Sequence, residues 1–255
     1  MWQIDYQTLQ LVASHRGSLP VLLTCPHGGD GTPDGVIPRT GQTTPAGCDF
    51  ELARDLHTRE ITEAVAQRML DVFGEAPYVV IAGFHRKFLD VNRTPDCAFE
   101  VDAAQPFYDA YHTSVRNFID EIRAQNDGLG LMFDLHGTLG LAADPADVYL
   151  GTAGGQSVAR LLADDPQALT RQRSLPGFLR AAGHRVSIPA EGPLGGGFTI
   201  RRYGSSNADG IDAFQLEIAA PLRKHPGQRG AVIGDLAFAF GNLASLRPCS
   251  RIAPG

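Results

Sequence analysis

Residues Leu129–Gly137 read LGLMFDLHG, and the order of residue types in this stretch decides the fold. LGLMFDL is an apolar run of strand length and predicts a buried β-strand; Asp134, His136 and Gly137 close it with polar and flexible residues. A second short run, Pro20–Pro26 (PVLLTCP), predicts another buried strand, and it too leads into a histidine followed by glycine, His27–Gly28–Gly29. Tyr78–Ala82 and Ala213–Ala219 predict further strands, Asp147–Leu150 begins another, and Lys87–Val91 and Phe198–Arg202 are expected as two more. Apolar residues at Leu52, Leu56, Ile61, Val65, Met69 and Val72 recur at helical spacing and predict a helix from Asp49 to Val72. Gln105–Ala124 predicts a second long helix with Pro106 in its first turn, Pro176–Gly183 a short one and Arg229–Leu246 a closing one. Gly28–Gly47 and Gly192–Gly197 are expected as loops. Strands separated by helices imply an α/β fold, a three-layer α/β/α arrangement around a mixed, mostly parallel sheet.

No linker, repeat or low-complexity segment divides residues 1–255, and that length suits a single domain with one core. The hydrophobic content of 43% is enough to fill it. Acidic residues exceed basic ones, 28 to 22, and no cationic run stands out, so nucleic acid is not an expected partner. A small anion needs only one or two arginines and stays open. No apolar run approaches the roughly 20 residues that span a bilayer, so no membrane partner is expected. Cys25, Cys48, Cys97 and Cys249 form no C-x-x-C pair, and Met1–Gln10 carries no leader pattern. Reduced thiols in a cytoplasmic protein are the expectation.

The polar residues that carry chemistry gather at the ends of predicted strands, the edge where open α/β sheets build their sites. His27 follows the first strand and His136 the central one. Glu217 is the one acid inside QLEI (Gln215–Ile218), where Gln215 and Ala219 share its face and Leu216 and Ile218 take the other. An ionised carboxylate in a buried strand is costly unless paired or functional. Two histidines and a carboxylate on one rim are the ligand set of a catalytic zinc with a fourth position open, and a further carboxylate can then move protons. Each residue also has a plainer reading. Either histidine alone reads equally as a hydrogen-bonded loop residue, and Glu217 as a partner for Arg201 or Arg202. The acidic ligand is open among Asp30, Asp49 and Asp55: Asp30 also suits a turn, and Asp55 also suits a helix cap.

Arginines complete the pattern. Arg86 precedes a predicted strand, Asn92 and Arg93 follow it, and Arg201 and Arg202 follow the glycine loop. A guanidinium matches a carboxylate with two hydrogen bonds, which suits a small acidic substrate beside a metal; surface ion pairing is the alternative for each.

Pro26–Gly29, Asp90–Arg93, Asp134–Gly137, the stretch GGFTIRRYG and Gln215–Ile218 occur in an order that resembles the N-formylglutamate amidohydrolase family. That resemblance implies a fold like that of zinc carboxypeptidases and aspartoacylases, with a single zinc ion. It implies His27 and His136 as zinc ligands, with Asp55 matching the family's acidic ligand better than Asp49. Glu217 is implied as general base and acid, with Asn92, Arg93, Arg201 and Arg86 at the substrate. The implied reaction is cleavage of an N-formyl or other N-acyl amino acid, N-formylglutamate giving formate and glutamate. The loop Asp30–Cys48 and the segment Pro95–Gln105 depart from the family's pattern.

A metallo-carboxypeptidase or amidase acting on a peptide or cell-wall fragment is the nearest alternative. A cysteine hydrolase using Cys25 with His27 and a ligand-binding module without catalysis are the others. The stretch Gly151–Gly155 lacks the Gly-Lys-Ser/Thr of a phosphate loop, and no Gly-x-Ser-x-Gly elbow occurs. His57, His85, His112, His184 and His225 show no partner pattern.

Overall fold

A computed structural model describes residues 3–246 of the chain, which leaves Cys249 outside the described residues. Eight strands form one mixed sheet in the order β1-β2-β4-β3-β5-β8-β6-β7. They are β1 (Gln7–Leu9), β2 (Val12–His15), β3 (Val21–Cys25), β4 (Tyr78–Ala82), β5 (Leu131–Thr138), β6 (Val148–Gly151), β7 (Val186–Ser187) and β8 (Asp212–Ala219). The four central strands β4, β3, β5 and β8 run parallel, and β2 and β6 flank them antiparallel. The helices are α1 (Thr58–Phe73), α2 (Pro95–Ala98), α3 (Gln105–Gln125), α4 (Ala159–Asp164), α5 (Leu175–Ala181), α6 (Phe198–Tyr203), α7 (Ala220–Lys224) and α8 (Pro226–Ser245).

Side chains alternate across the sheet and divide the core in two. Leu131, Phe133 and Leu135 of β5 join Phe214, Leu216 and Ile218 of β8 on the face covered by α1 and α8. There Phe133 stacks on Phe240 with ring centroids 3.8 Å apart. Met132 and Ala213 lie on the other face, beneath Tyr111, Val115 and Ile119 of α3. Each large apolar side chain removed from water in this way contributes about 1.5–3 kcal/mol. Parallel strands covered on both faces read as continuous apolar runs, which is why VLLTC and YVVIA are recognisable from sequence.

Four expectations are corrected. The helix expected from Asp49 begins only at Thr58, because His57 takes a left-handed backbone (φ 68°) that no right-handed helix continues through. Lys87–Val91 is a buried turn, with the Asp90 amide donating to the Ala98 carbonyl instead of to a strand. Phe198–Tyr203 is helical, its start held from outside by Asn92, whose Oδ1 accepts from Thr199 N and Oγ1 at 2.8 Å each. Reduced thiols were expected throughout, yet Cys48 and Cys97 form a disulfide and only Cys25 is free among the described residues. With that bond the cysteines no longer argue for a cytoplasmic location. Among the described residues no helix is long and apolar enough to cross a membrane.

Candidate metal centre

The crossover from β3 to β4 through α1 and that from β4 to β5 through α3 leave a crevice beyond the carboxyl ends of β3 and β5, where α/β sheets place ligands. His27 leaves β3 into this crevice. Its glycines are explained by backbone approach: a Cβ on Gly29 would collide with the Gly83 backbone, and one on Gly28 with Arg59 N at 2.6 Å. The same turn fixes Asp55, whose amide donates to the His27 carbonyl at 2.9 Å. Asp55 Oδ2 in turn accepts from Gly137 N at 2.9 Å, at the end of β5. Beneath that turn lies Arg223, which donates to the carbonyls of Leu56, Thr138 and Ile218 and occupies the space a Gly137 side chain would need.

The three side chains meet. His27 Nδ1 and His136 Nδ1 each stand 3.5 Å from Asp55 Oδ2. All three ligand atoms lie within 4.8 Å of one another, and the three residues are buried. A separation of 3.5 Å is long for a hydrogen bond, yet two ligands at about 2.0–2.1 Å from a tetrahedral ion stand about 3.4 Å apart. His27 Nδ1 is buried and has no hydrogen-bond partner, a cost that a bound cation would remove. These donors fit a divalent metal.

The far nitrogen of each ring is held by a carboxylate. His27 Nε2 donates to Asp90 Oδ1 at 2.7 Å, and His136 Nε2 to Asp134 Oδ2 at 2.9 Å. Because a carboxylate only accepts, the proton sits on Nε2 and the Nδ1 lone pairs face the centre. Asp90 is anchored by Arg86, whose Nε donates at 2.9 Å, and Asp134 by the Thr24 hydroxyl at 2.6 Å. Burial pushes the Asp90 carboxyl up, but His27 and Arg86 outweigh it and hold it well below the usual carboxylate range. Asp55 behaves alike: burial raises it, and the two imidazoles more than reverse that. Asp90 and Asp134 were quoted in the sequence motifs without a role. For Asp134 the signal was present, since a residue two before His136 on a strand shares its face.

Glu217 completes the row. β5 and β8 pair in parallel with His136 opposite Glu217 and Asp134 opposite Gln215, and His136 Nδ1 lies 4.0 Å from Glu217 Oε1. Gln215 accepts from Gly197 N at 2.7 Å and donates to Glu217 Oε1 at 2.9 Å, so it orients the carboxylate, a role the sequence did not suggest. Burial pushes the Glu217 carboxyl up, opposed by His136 and aided by Asp55. It makes no ion pair with Arg201 or Arg202 among the described residues, which removes the plainer reading.

A cavity of about 640 Å³ opens over this row, lined by His27, Asp55, His136 and Glu217 and by three arginines, Arg86, Arg93 and Arg201. Arg86 and Asn92 reach the wall, but Arg86 Nε serves Asp90 and Asn92 Oδ1 serves Thr199, with Asn92 Nδ2 3.5 Å from His136 Nε2. Of the other acids once open as ligands, Asp30 pairs with Arg54 and Asp49 with Arg93, each at 2.9 Å. Cys25 is wholly buried in the core under α1, with burial raising its thiol, and is no nucleophile.

Fold and site together define an α/β protein with a buried His–Asp–His group able to hold a metal beside a carboxylate. A sequence-family model described as N-formylglutamate amidohydrolase matches residues 100–222. The matched span is just under half of the chain; it takes in His136, Arg201 and Glu217, while His27 and Asp55 precede it. No curated protein matches the chain. Among solved structures it is similar to an N-formylglutamate amidohydrolase from Ralstonia eutropha JMP134, with TM-score 0.66, 18% identity, and 93% of this chain and 98% of that one covered. It is similar also to a gene product of Agrobacterium tumefaciens, with TM-score 0.63, 17% identity and coverage of 93% and 95%. At these identities the likeness is one of fold.

Proposed function

We propose that the chain is a zinc-dependent amidohydrolase that cleaves the amide of an N-acyl amino acid, a small acidic substrate. The family's own substrate, N-formylglutamate, would yield formate and glutamate. The observation that carries this reading is the convergence of the His27, Asp55 and His136 ligand atoms, with Glu217 beside them in one cavity.

Two imidazole nitrogens and a carboxylate oxygen suit one zinc ion with a fourth position left open. When bound, zinc supplies a Lewis acid that acidifies water and polarises the acyl carbonyl. Glu217 takes a proton from the water that attacks the acyl carbon. It delivers that proton to the amine nitrogen as the C–N bond breaks, and so ends the cycle as a carboxylate. Gln215 holds Oε1 and leaves Oε2 for the transfer. A pocket guanidinium, that of Arg201, supplies a fork for a substrate carboxylate. A cavity of about 640 Å³ fits a small molecule and favours this over a peptide-cleaving carboxypeptidase or amidase.

Metal analysis of the purified protein, followed by rates on N-formyl and N-acetyl amino acids before and after chelation, tests the proposal. One zinc per chain, with turnover lost on chelation and restored by zinc, is expected. Turnover that survives complete metal removal would overturn it.

A further inference from the structure

The three guanidiniums on the cavity wall are not equally available. Arg86 directs Nε and Nη2 at Asp90 Oδ2, at 2.9 and 2.8 Å, and is buried. Arg93 directs Nε at the Asp49 carbonyl, 3.0 Å away, and Nη2 at the Asp49 carboxylate, 2.9 Å away, while Nη1 donates to the Asn92 carbonyl at 2.9 Å. Arg201 donates only Nε, to the Gly196 carbonyl at 3.2 Å, and has no carboxylate partner among the described residues. One of the three therefore presents its fork to a ligand.

The Asp49 side chain is exposed, and its backbone is tethered beside Arg93. Asp49 adjoins Cys48, whose disulfide reaches Cys97 in α2, four residues beyond Arg93. A few residues upstream of Asp49, Thr40 N, Gly41 N and the Thr44 hydroxyl donate to Glu100 at 2.8, 2.6 and 3.0 Å. The Asp30–Cys48 loop and the Pro95–Gln105 segment, which both depart from the family's pattern, are thus stitched to each other, and Asp49 follows at the edge of that unit. Glu51, also on the wall, is kept anionic by the amides of Ala53 and Leu52.

We propose that Asp49, anchored beside Arg93 by the Cys48–Cys97 disulfide, determines specificity: it fills the carboxylate-binding edge of Arg93, so the site selects N-acyl amino acids with one carboxylate, held by Arg201, over dicarboxylates. The inference rests on the amidohydrolase reading. A second substrate carboxylate would have to displace Asp49 or approach it, and like charges about 4 Å apart in water repel by enough to change affinity about fivefold.

The experiment compares N-formylglutamine with N-formylglutamate, which differ by one carboxylate, in the zinc-loaded wild type, Asp49→Asn and the Cys48→Ser/Cys97→Ser pair. The wild type is expected to prefer N-formylglutamine. Asp49→Asn moves the kcat/KM ratio about fivefold towards N-formylglutamate, and loss of the disulfide moves it the same way. Titration calorimetry with glutamine and glutamate reads the same preference without turnover. Absence of turnover on both substrates would therefore end the amidohydrolase reading while the binding ratio still decides on Asp49. A ratio unchanged in Asp49→Asn, or both ligands improved equally, overturns the inference.

Discussion

His136 on β5 and Glu217 on β8 are register partners, and their facing atoms, Nδ1 and Oε1, stand 4.0 Å apart. Neither residue is placed by a loop. Both project from the rigid centre of the sheet, one towards the candidate metal position and one beside it, so the distance between them is set by strand spacing.

Replacing Glu217 by Gln removes the proton carrier with little change in volume. Turnover should fall by about 10²–10⁴-fold while zinc content stays at the wild-type level. Steady-state kinetics beside metal analysis would show it, and a variant that keeps wild-type kcat would dismiss Glu217 from this role.

Asp134 acts through His136. Asp134→Asn keeps the shape but weakens the hold on Nε2, so zinc affinity should drop about 10–100-fold. Competition with a zinc-binding dye measures it; affinity equal to wild type would mean the pair is structural only.

Gly137→Ala pushes a methyl group into the guanidinium of Arg223, which three backbone carbonyls hold still. Overpacking of this kind costs about 1–3 kcal/mol. Urea unfolding should show that loss in the wild-type background and much less of it in Arg223→Ala, where the space is free.

His112 gives a pH dependence away from the centre. Its ring lies 4.2 Å from that of Tyr108, and burial lowers its pKa to about 4, with the Val91 backbone opposing and Arg202 adding. Between the ordinary value near 6.5 and 4, the unfolded chain binds a proton that the folded chain refuses. This contribution to stability is full above about pH 6.5 and fades as the pH falls towards 4, by up to about 3 kcal/mol. The difference in unfolding free energy between wild type and His112→Gln, measured across that range, should narrow on acidification; a constant difference would contradict it.

The central strands and the paired glycine-flanked histidines were legible because burial on both faces leaves an uninterrupted apolar run that any local reading detects. The strand-like look of Phe198–Arg202 misled for a comparable reason: its apolar content is real, but Asn92, more than a hundred residues earlier, holds its first turn as helix. Leu52 and Leu56 kept helical spacing and are 36% and 40% exposed, since the tie from Asp55 to His27 and Gly137 takes that stretch out of the helix.

Sequence by itself determined the layered α/β class, the two histidines at strand ends and the acid Glu217 within the apolar run Ala213–Ala219, because periodicity and strand-end position are local properties. Only the tertiary structure decided that Asp55 joins them while Asp30 and Asp49 pair with Arg54 and Arg93, and that Cys48 reaches Cys97. Those outcomes depend on loops meeting across the sheet edge, and distance through space is not written in spacing along the chain.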